Sequence, residues 1–415
     1  MDLLLSLWPG ASQALDQTIL HDPEFALAHA ARARLNAIHA RPWETKVDIE
    51  HAELLVARNG TERERSHVGV LSLAINGRAK GALAAALNHV HQWPRDVLIL
   101  SLPLGAFGLF AFSGMANHDQ ARVDLCERYS KHFAADDWWF LTYRGWAHAE
   151  NGNLHLGRQL TQRALELRRW NVNGAHAMAH VLHESGADME AQYMIADWLP
   201  EYDRSGILHG HIAWHGALIA LEQGDVHTAL DYYMGNVAPS VSHGTPVNII
   251  SDSASFLWRL DAYGHDVPHS LWQEAASYAS DHFQQPGFAF ADFHMALIEA
   301  ATGKQDALER RRHILSQMGK NNDFPVGPVA SMLCLAVRAF ASGEYAECAR
   351  ALEPIASQVV RIGGSGAQRE IVDDMLVVAL MKAGDVSGAK SALNRRLNRR
   401  PSQRDDRWLN SLSAN

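Results

Sequence analysis

Apolar residues recur along this chain with the period of a helix, and the runs are broken at regular intervals by a glycine. In residues 211–230, HIAWHGALIALEQGDVHTAL, the positions Ala217, Leu218 and Leu221 share one helix face. Gly224-Asp225 ends that run, and Ala229 and Leu230 open the next apolar face. Residues 339–352, AFASGEYAECARAL, repeat the form, with Tyr345 and Ala349 where a hairpin wants a ring and a small residue. Residues 374–393 give it again around Ala383-Gly384-Asp385. Nine such glycines (Gly77, Gly114, Gly152, Gly186, Gly224, Gly264, Gly303, Gly343 and Gly384) follow one another at gaps of 34–41 residues.

A beat of about 20–50 residues marks a stacked-repeat architecture, with the tetratricopeptide hairpin at about 34. Neither helix of a hairpin buries its apolar face alone, so hairpins stack, and small residues let paired helices approach. The pattern therefore predicts an all-α, tetratricopeptide-like solenoid of about nine hairpins, forming one repeat domain over residues 1–415 and free of strands. Irregular links are expected at residues 237–247 and 319–328, both rich in Pro and Gly. The run Gly363-Gly364-Ser365-Gly366 reads as a flexible link, because no Lys-Ser/Thr follows to make it a phosphate cradle.

Composition narrows the function classes. Hydrophobic residues make up 47% of the chain, enough for a large core, and 37 Lys+Arg against 46 Asp+Glu leave a net charge of −9. That balance argues against a nucleic-acid partner, which needs a basic stripe. The basic cluster Arg395, Arg396, Arg399 and Arg400 reads as the solvated face of a last helix. The cysteines Cys126, Cys334 and Cys348 form no pairing motif, so a reducing cytoplasm is the expected compartment. The apolar run from Leu3 to Trp8 is too short for a membrane span or a signal peptide, and no membrane partner is expected.

The 24 histidines carry most of the functional argument. Before Gly186 stand His176, His180 and His183, and before Gly224 stand His211 and His215, so two consecutive first helices each carry an i, i+4 imidazole pair. Measured against each repeat's own glycine, His176 lies 10 residues before, His215 9, Asp252 12, His294 9, and Asp374 and Asp373 10 and 11. These side chains fall near one height on the inner wall expected of such an array. Two i, i+4 pairs on adjacent helices can converge on a divalent metal such as zinc, with Asp252 completing the shell or orienting a histidine. Without metal the same groups serve as acid and base. The pattern HExxH is absent, since Ser185, Gly186 and Ala187 follow His183-Glu184. Structural alternatives stand beside these readings: the histidines clip neighbouring repeats together, and His183 sits at a helix C-terminus. His209 is given no role. Trp138, Trp139, Trp146, Trp198, Trp214 and Trp258 either wall an apolar pocket or bridge repeats, with Trp214 the best wall candidate.

At these residues the chain resembles the tetratricopeptide-repeat protein 38 family. The run His176 to Val181 matches that family's His-Ala-x-Ala-His-Val, and His211 to Leu218 its His-x-x-Trp-His-x-Ala-Leu. Residues 252–260, DSASFLWRL, resemble another family element, as do Arg63 to Val68 and Gln368 to Glu370. The chain departs from it at His183, Glu184, Ser185 and Gly186, where the family usually has Glu, Met, Gln, Gly. The resemblance implies fold and site positions rather than a reaction. Nine hairpins of that fold nearly complete one superhelical turn, which implies a nearly closed ring whose lumen faces residues of the last hairpin.

The expectation is a small-molecule enzyme with its site in the lumen, working by metal-assisted hydrolysis or a related lyase reaction. His176, His180, His211 and His215 bind or activate, Asp252 orients, and Trp214, Trp258, His294, Arg369 and Asp373 contact substrate. Two alternatives are a non-catalytic scaffold for a peptide or protein partner and a protein that binds haem non-covalently through histidine.

Overall fold

Each of the nine glycines adopts the left-handed backbone, with φ between +67° and +90°. That conformation is costly for residues with a Cβ and reverses the chain after a helix. The computed structural model describes residues 2–321 and 324–413. All its regular elements are helical and, among the described residues, no strand occurs. The chain divides into two compact units, one built mainly from residues 1–178 and one mainly from 179–415.

The first unit contains α1 (Asp2–Ser6), α2 (Ala11–His21), α3 (Ala26–Ile38), α4 (Pro42–Asn59), α5 (Glu62–Ile75), α6 (Ala79–Gln92), α7 (Val97–Leu104), α8 (His118–Tyr129), α9 (Trp138–Glu150) and α10 (Leu154–Leu167). Helix α11 (Val172–Glu184) begins in it and continues into the second. The second unit holds α12 (Asp188–Trp198), α13 (His209–Gln223), α14 (Val226–Tyr232), α15 (Pro246–Ala262), α16 (His269–Ala279), α17 (Ala289–Ala301), α18 (Gln305–Lys320), α19 (Gly327–Ala341), α20 (Tyr345–Leu352), α21 (Gly366–Lys382), α22 (Val386–Arg399) and α23 (Gln403–Ser411).

Tetratricopeptide-like hairpins are therefore the repeating element of both units, and there is one more than the glycines mark. Helices α3 and α4 also form a hairpin, but its left-handed residue is Ala40, at φ 54°, where a glycine count is blind. The third hairpin is irregular too. Pro103 sits within α7, and a short 3₁₀ turn at Ala111–Ser113 separates that helix from Gly114.

Small residues set how closely the helices pair. In the α9–α10 hairpin a Cβ at Gly145 would lie 2.5 Å from Thr161 Oγ1, and one at Gly157 would lie 3.0 Å from the Ala149 backbone nitrogen. The core of the first unit gathers Val68, Leu71, Val90, Ile99, Leu100 and Phe140 from α5, α6, α7 and α9. In the second unit α13 is buried on every face from His209 to Glu222, so it is a central helix rather than an amphipathic one.

Three expectations about irregular or solvated segments change. The link foreseen at 319–328 is shorter, because α18 runs through Lys320 and α19 starts at Gly327, with Gly319 pressed against the Pro328 ring. Residues 322 and 323 of that segment lie outside the described residues. The run 363–366 is not a loose link: Ser365 caps α21 in a reciprocal box with Gln368, and Gly364 backs onto the Phe290 ring.

The third change is the largest. Of the C-terminal arginines, Arg396 and Arg400 are buried inside an ion network, although Arg395 and Arg399 remain at its outer side. Asp374 contacts Arg259 Nε at 3.0 Å, Arg396 Nη1 at 2.7 Å and Arg404 Nη2 at 3.1 Å. Glu370 takes Arg400 at 2.8 Å and His183 at 3.4 Å, Asp405 takes Arg396 at 2.7 Å, and Glu222 faces Arg404 at 3.5 Å. His183 is thus a partner of Glu370, not merely a residue near a helix end. Burial alone would raise the Asp374 carboxyl, but Arg404, Arg396 and Arg259 overcome it and hold it at about 2. Four carboxylates meet four guanidiniums here, so the network is neutral overall despite its burial.

Replacing Gly157 by Ala forces apart two backbones that now touch. The expected loss is about 1–3 kcal/mol, read as a lowered urea midpoint with unchanged helix content by circular dichroism.

Candidate functional site

The imidazoles foreseen as a site come together in the second unit. Helix α11 presents His180, α13 presents His211 and His215 one turn apart, and α15 presents Asp252. One ring nitrogen from each of His180, His211 and His215 lies within 4.8 Å of the other two. The His180 and His215 rings meet edge to face with centroids 4.3 Å apart, and the His211 and His215 centroids are 5.0 Å apart. Asp252 Oδ2 lies 2.8 Å from His211 Nδ1, so that nitrogen carries a proton and donates to the carboxylate.

Burial governs the electrostatics. His180 is 0% exposed, His215 1%, His211 4% and Asp252 2%. Desolvation pushes the His180 pKa well below its ordinary value, and His211, His183 and Arg369 push the same way. At neutral pH His180 is uncharged and presents a lone pair. Trp214 stacks on His211 at 5.3 Å with planes 12° apart, and the Arg259 guanidinium stands 6.0 Å over the indole. Trp214 therefore packs the floor of the cluster. His176 sits one turn before His180 on α11, on the first unit's side, where its ring stacks on Trp146 at 5.4 Å.

The remaining expected residues are also in the second unit. His294 is buried in α17 and donates from Nδ1 to the Phe290 carbonyl at 2.7 Å. Trp258 packs on Phe340 at 5.1 Å. Arg369 donates to the Gly364 carbonyl, and Asp373 is partly exposed and paired with Arg399 at 3.2 Å. Of the six tryptophans considered as pocket walls, Trp139 lines a described cavity; Trp146, Trp198, Trp214 and Trp258 are buried packing residues.

A second cluster, in the first unit, escaped the sequence reading. Asp96 Oδ2 lies 3.0 Å from His67 Nδ1, 3.2 Å from His89 Nε2, and accepts from Arg63 Nη2 at 2.8 Å. His89 Nδ1 is 2.8 Å from Ser66 Oγ. Burial would raise the Asp96 carboxyl, but His67, His89 and Arg63 together drive it far below the ordinary range. The signal was available in part, since His67 lies in the element Arg63 to Val68. Asp96 was not foreseeable, because it reaches the pair from the loop before α7, 29 residues downstream of His67.

Two outcomes follow. Burial lowers His294 to about 4 from an ordinary 6.5, against the raising effect of its carbonyl bond. Between those values the unfolded chain takes up a proton that the folded chain refuses, so stability is full above pH 6.5 and falls towards pH 4. Urea midpoints should drop over that window by an amount to which His294 contributes about 1–3 kcal/mol, and His294→Asn, which keeps a donor, should remove that share while the lowered His180 and His209 retain theirs. Asp96→Asn should cost about 2–3 kcal/mol, less than for a wholly buried pair because Arg63 is half exposed; thermal unfolding measures it.

No family model matches the chain. Among solved structures it is similar to an IFIT1 monomeric mutant with Gppp-AAAA, at a TM-score of 0.32 and 12% identity over 96% of this chain and 88% of that one. It is also similar to Naa15/Naa10 bound to HypK-THB, at a TM-score of 0.28 and 10% identity over 93% of this chain and 65% of that one. A further IFIT1 monomeric mutant, with m7Gppp-AAAA, gives 0.28 and 12% over 96% and 88%.

Proposed function

We propose that this helical-hairpin protein holds a divalent transition-metal ion of the zinc class at His180, His211 and His215. The observation that supports it is the convergence of three imidazole nitrogens within 4.8 Å of one another, with Asp252 on the far nitrogen of His211. A tetrahedral zinc site places its nitrogens roughly 3.4 Å apart at bond lengths of about 2.0–2.1 Å. Small side-chain rotations close that difference. The Asp252–His211 pair is the outer-shell contact that fixes a ligand's tautomer and raises its basicity. The resemblance to the tetratricopeptide-repeat protein 38 family supports the same positions, since the two His motifs that carry it supply these residues.

Such an ion, once bound, can acidify a water for hydrolysis. What this chain's own residues supply is neutral nitrogen donors, a carboxylate to orient one of them, and exclusion of bulk water. With every ring nearly sealed, the geometry supports a held ion more strongly than turnover of a small-molecule substrate. The three rings are 0%, 1% and 4% exposed, which leaves no open face for a porphyrin against any one of them and favours metal over haem.

A second reading, a scaffold for a protein partner, has its own support. Trp43, Val47 and Leu54 lie on one arc of α4 and are 73%, 47% and 58% exposed. An exposed apolar stripe fits a protein-binding surface.

Metal content decides the first reading. The full chain, stripped with a chelator and reloaded with zinc, should retain about one equivalent and unfold at a higher temperature. His180→Ala/His215→Ala should lose the ion, Asp252→Asn should weaken it about 10–100-fold, and His67→Ala should keep it. Equal metal in the double variant and the parent chain, or none in either, sinks the proposal.

A further inference from the structure

The first unit contains a cavity of about 320 Å³ walled by α1, α3, α7 and α9. Liquid water would fill that space with roughly ten molecules at about 30 Å³ each. No Asp or Glu lines it, whereas Arg34, His39 and Arg41 do, in a protein whose net charge is −9. The rest of the lining is largely apolar and aromatic, including Leu98, Trp8 and Trp139.

Arg34 is the unusual group. Its Nη1 donates to Ser101 Oγ at 3.0 Å and to the Leu98 carbonyl at 3.3 Å. Among the described residues no carboxylate pairs with it, and its Nε and Nη2 find no acceptor. Arg34 is partly buried, open to the cavity, whereas the arginines sealed in the core lie against carboxylates, as Arg259, Arg311 and Arg396 do. Burial pulls the Arg34 guanidinium below its ordinary value, and the one ionisable group that offsets this is Tyr143, across the same cavity. The Tyr143 hydroxyl also has no hydrogen-bond partner among the described residues. A partly desolvated cation without a counter-ion gains from one, and a guanidinium fork with free donors matches a carboxylate in two parallel bonds.

We propose that this cavity is a binding site for a small organic carboxylate with an apolar body. The carboxylate lies on the Arg34 fork, the Tyr143 hydroxyl is a second donor, and the hydrocarbon lies among Leu98, Trp8 and Trp139. The Arg34 fork with the Tyr143 hydroxyl beside it, on an otherwise largely apolar wall, suits a monoanion with a hydrocarbon body. The site is independent of the imidazole cluster, and its test does not involve metal.

Octanoate and 1-octanol, titrated calorimetrically into the full-length chain, share a hydrocarbon and differ in charge. Octanoate should bind about 10–100-fold more tightly, the worth of one charge-assisted hydrogen-bonded pair. Arg34→Met should abolish that preference while the ligand-free thermal midpoint holds or rises, because an unpaired buried charge is removed. Tyr143→Phe should weaken octanoate by about threefold to tenfold, as for one neutral hydrogen bond, and it serves as the test should Arg34→Met fail to fold. Equal binding of acid and alcohol, no binding of octanoate, or unaltered octanoate binding in either variant would overturn the proposal. So would a marked fall in the midpoint of folded Arg34→Met, which would make Arg34 a structural brace.

Discussion

The register of the helices that carry the imidazoles is set by charges buried with them. On α13, Glu222 lies 7 residues after His215; on α15, Arg259 lies 7 after Asp252; on α11, His183 lies 3 after His180. Seven residues are close to two helical turns, so His215 and Asp252 each share a face with a member of the ion network about 10 Å along the axis, and His183 follows His180 by about one turn. Glu370 and Asp374 on α21 gather those members together with Arg396, Arg400 and Arg404. Sliding any one of these helices by a residue would break ion pairs in a region without water to replace them. Breaking one buried pair commonly costs about 3–5 kcal/mol, which is a steep penalty for misregister.

This arrangement makes a physical division of labour within each helix. The end near the network is fixed by charge, and the part that holds the imidazoles includes His180, kept uncharged by its burial. That neutrality matters for chemistry. His180 next to His211 and His215 tolerates its own burial only while uncharged, and an uncharged imidazole keeps the lone pair a metal requires. The network is itself balanced in charge, so it does not impose a strong field on the cluster. Arg259 bridges the two regions, since it pairs with Asp374 and also stands over the indole that supports His211.

The first unit treats polar burial differently. Asp96 collects two histidines and an arginine at one oxygen, a small version of the same principle. Arg34 stands outside it, partly buried at the cavity and without a carboxylate. In a chain that otherwise matches its buried charges with care, an unmatched guanidinium beside a cavity is better explained by a ligand than by packing.

Much of the fold was legible because its signals are local. The nine glycines act through a backbone angle, and the alternation of apolar face and break acts within one hairpin, so both survive in the sequence. The α3–α4 hairpin was missed because Ala40 takes the left-handed position without a glycine to announce it. The identity of His180, His211, His215 and Asp252 was readable from i, i+4 spacing and equal distance to the repeat glycine. Their convergence depends on helix-to-helix packing, which only the tertiary structure decides. The same holds for Arg396 and Arg400. Their local pattern is that of a solvated basic helix, and they are buried because Glu370, Asp374 and Asp405 arrive from other elements to meet them. Asp96 and the isolation of Arg34 belong to this class as well: sequence determines which charges exist and how each helix orients them, but whether a charge meets a partner is a property of space.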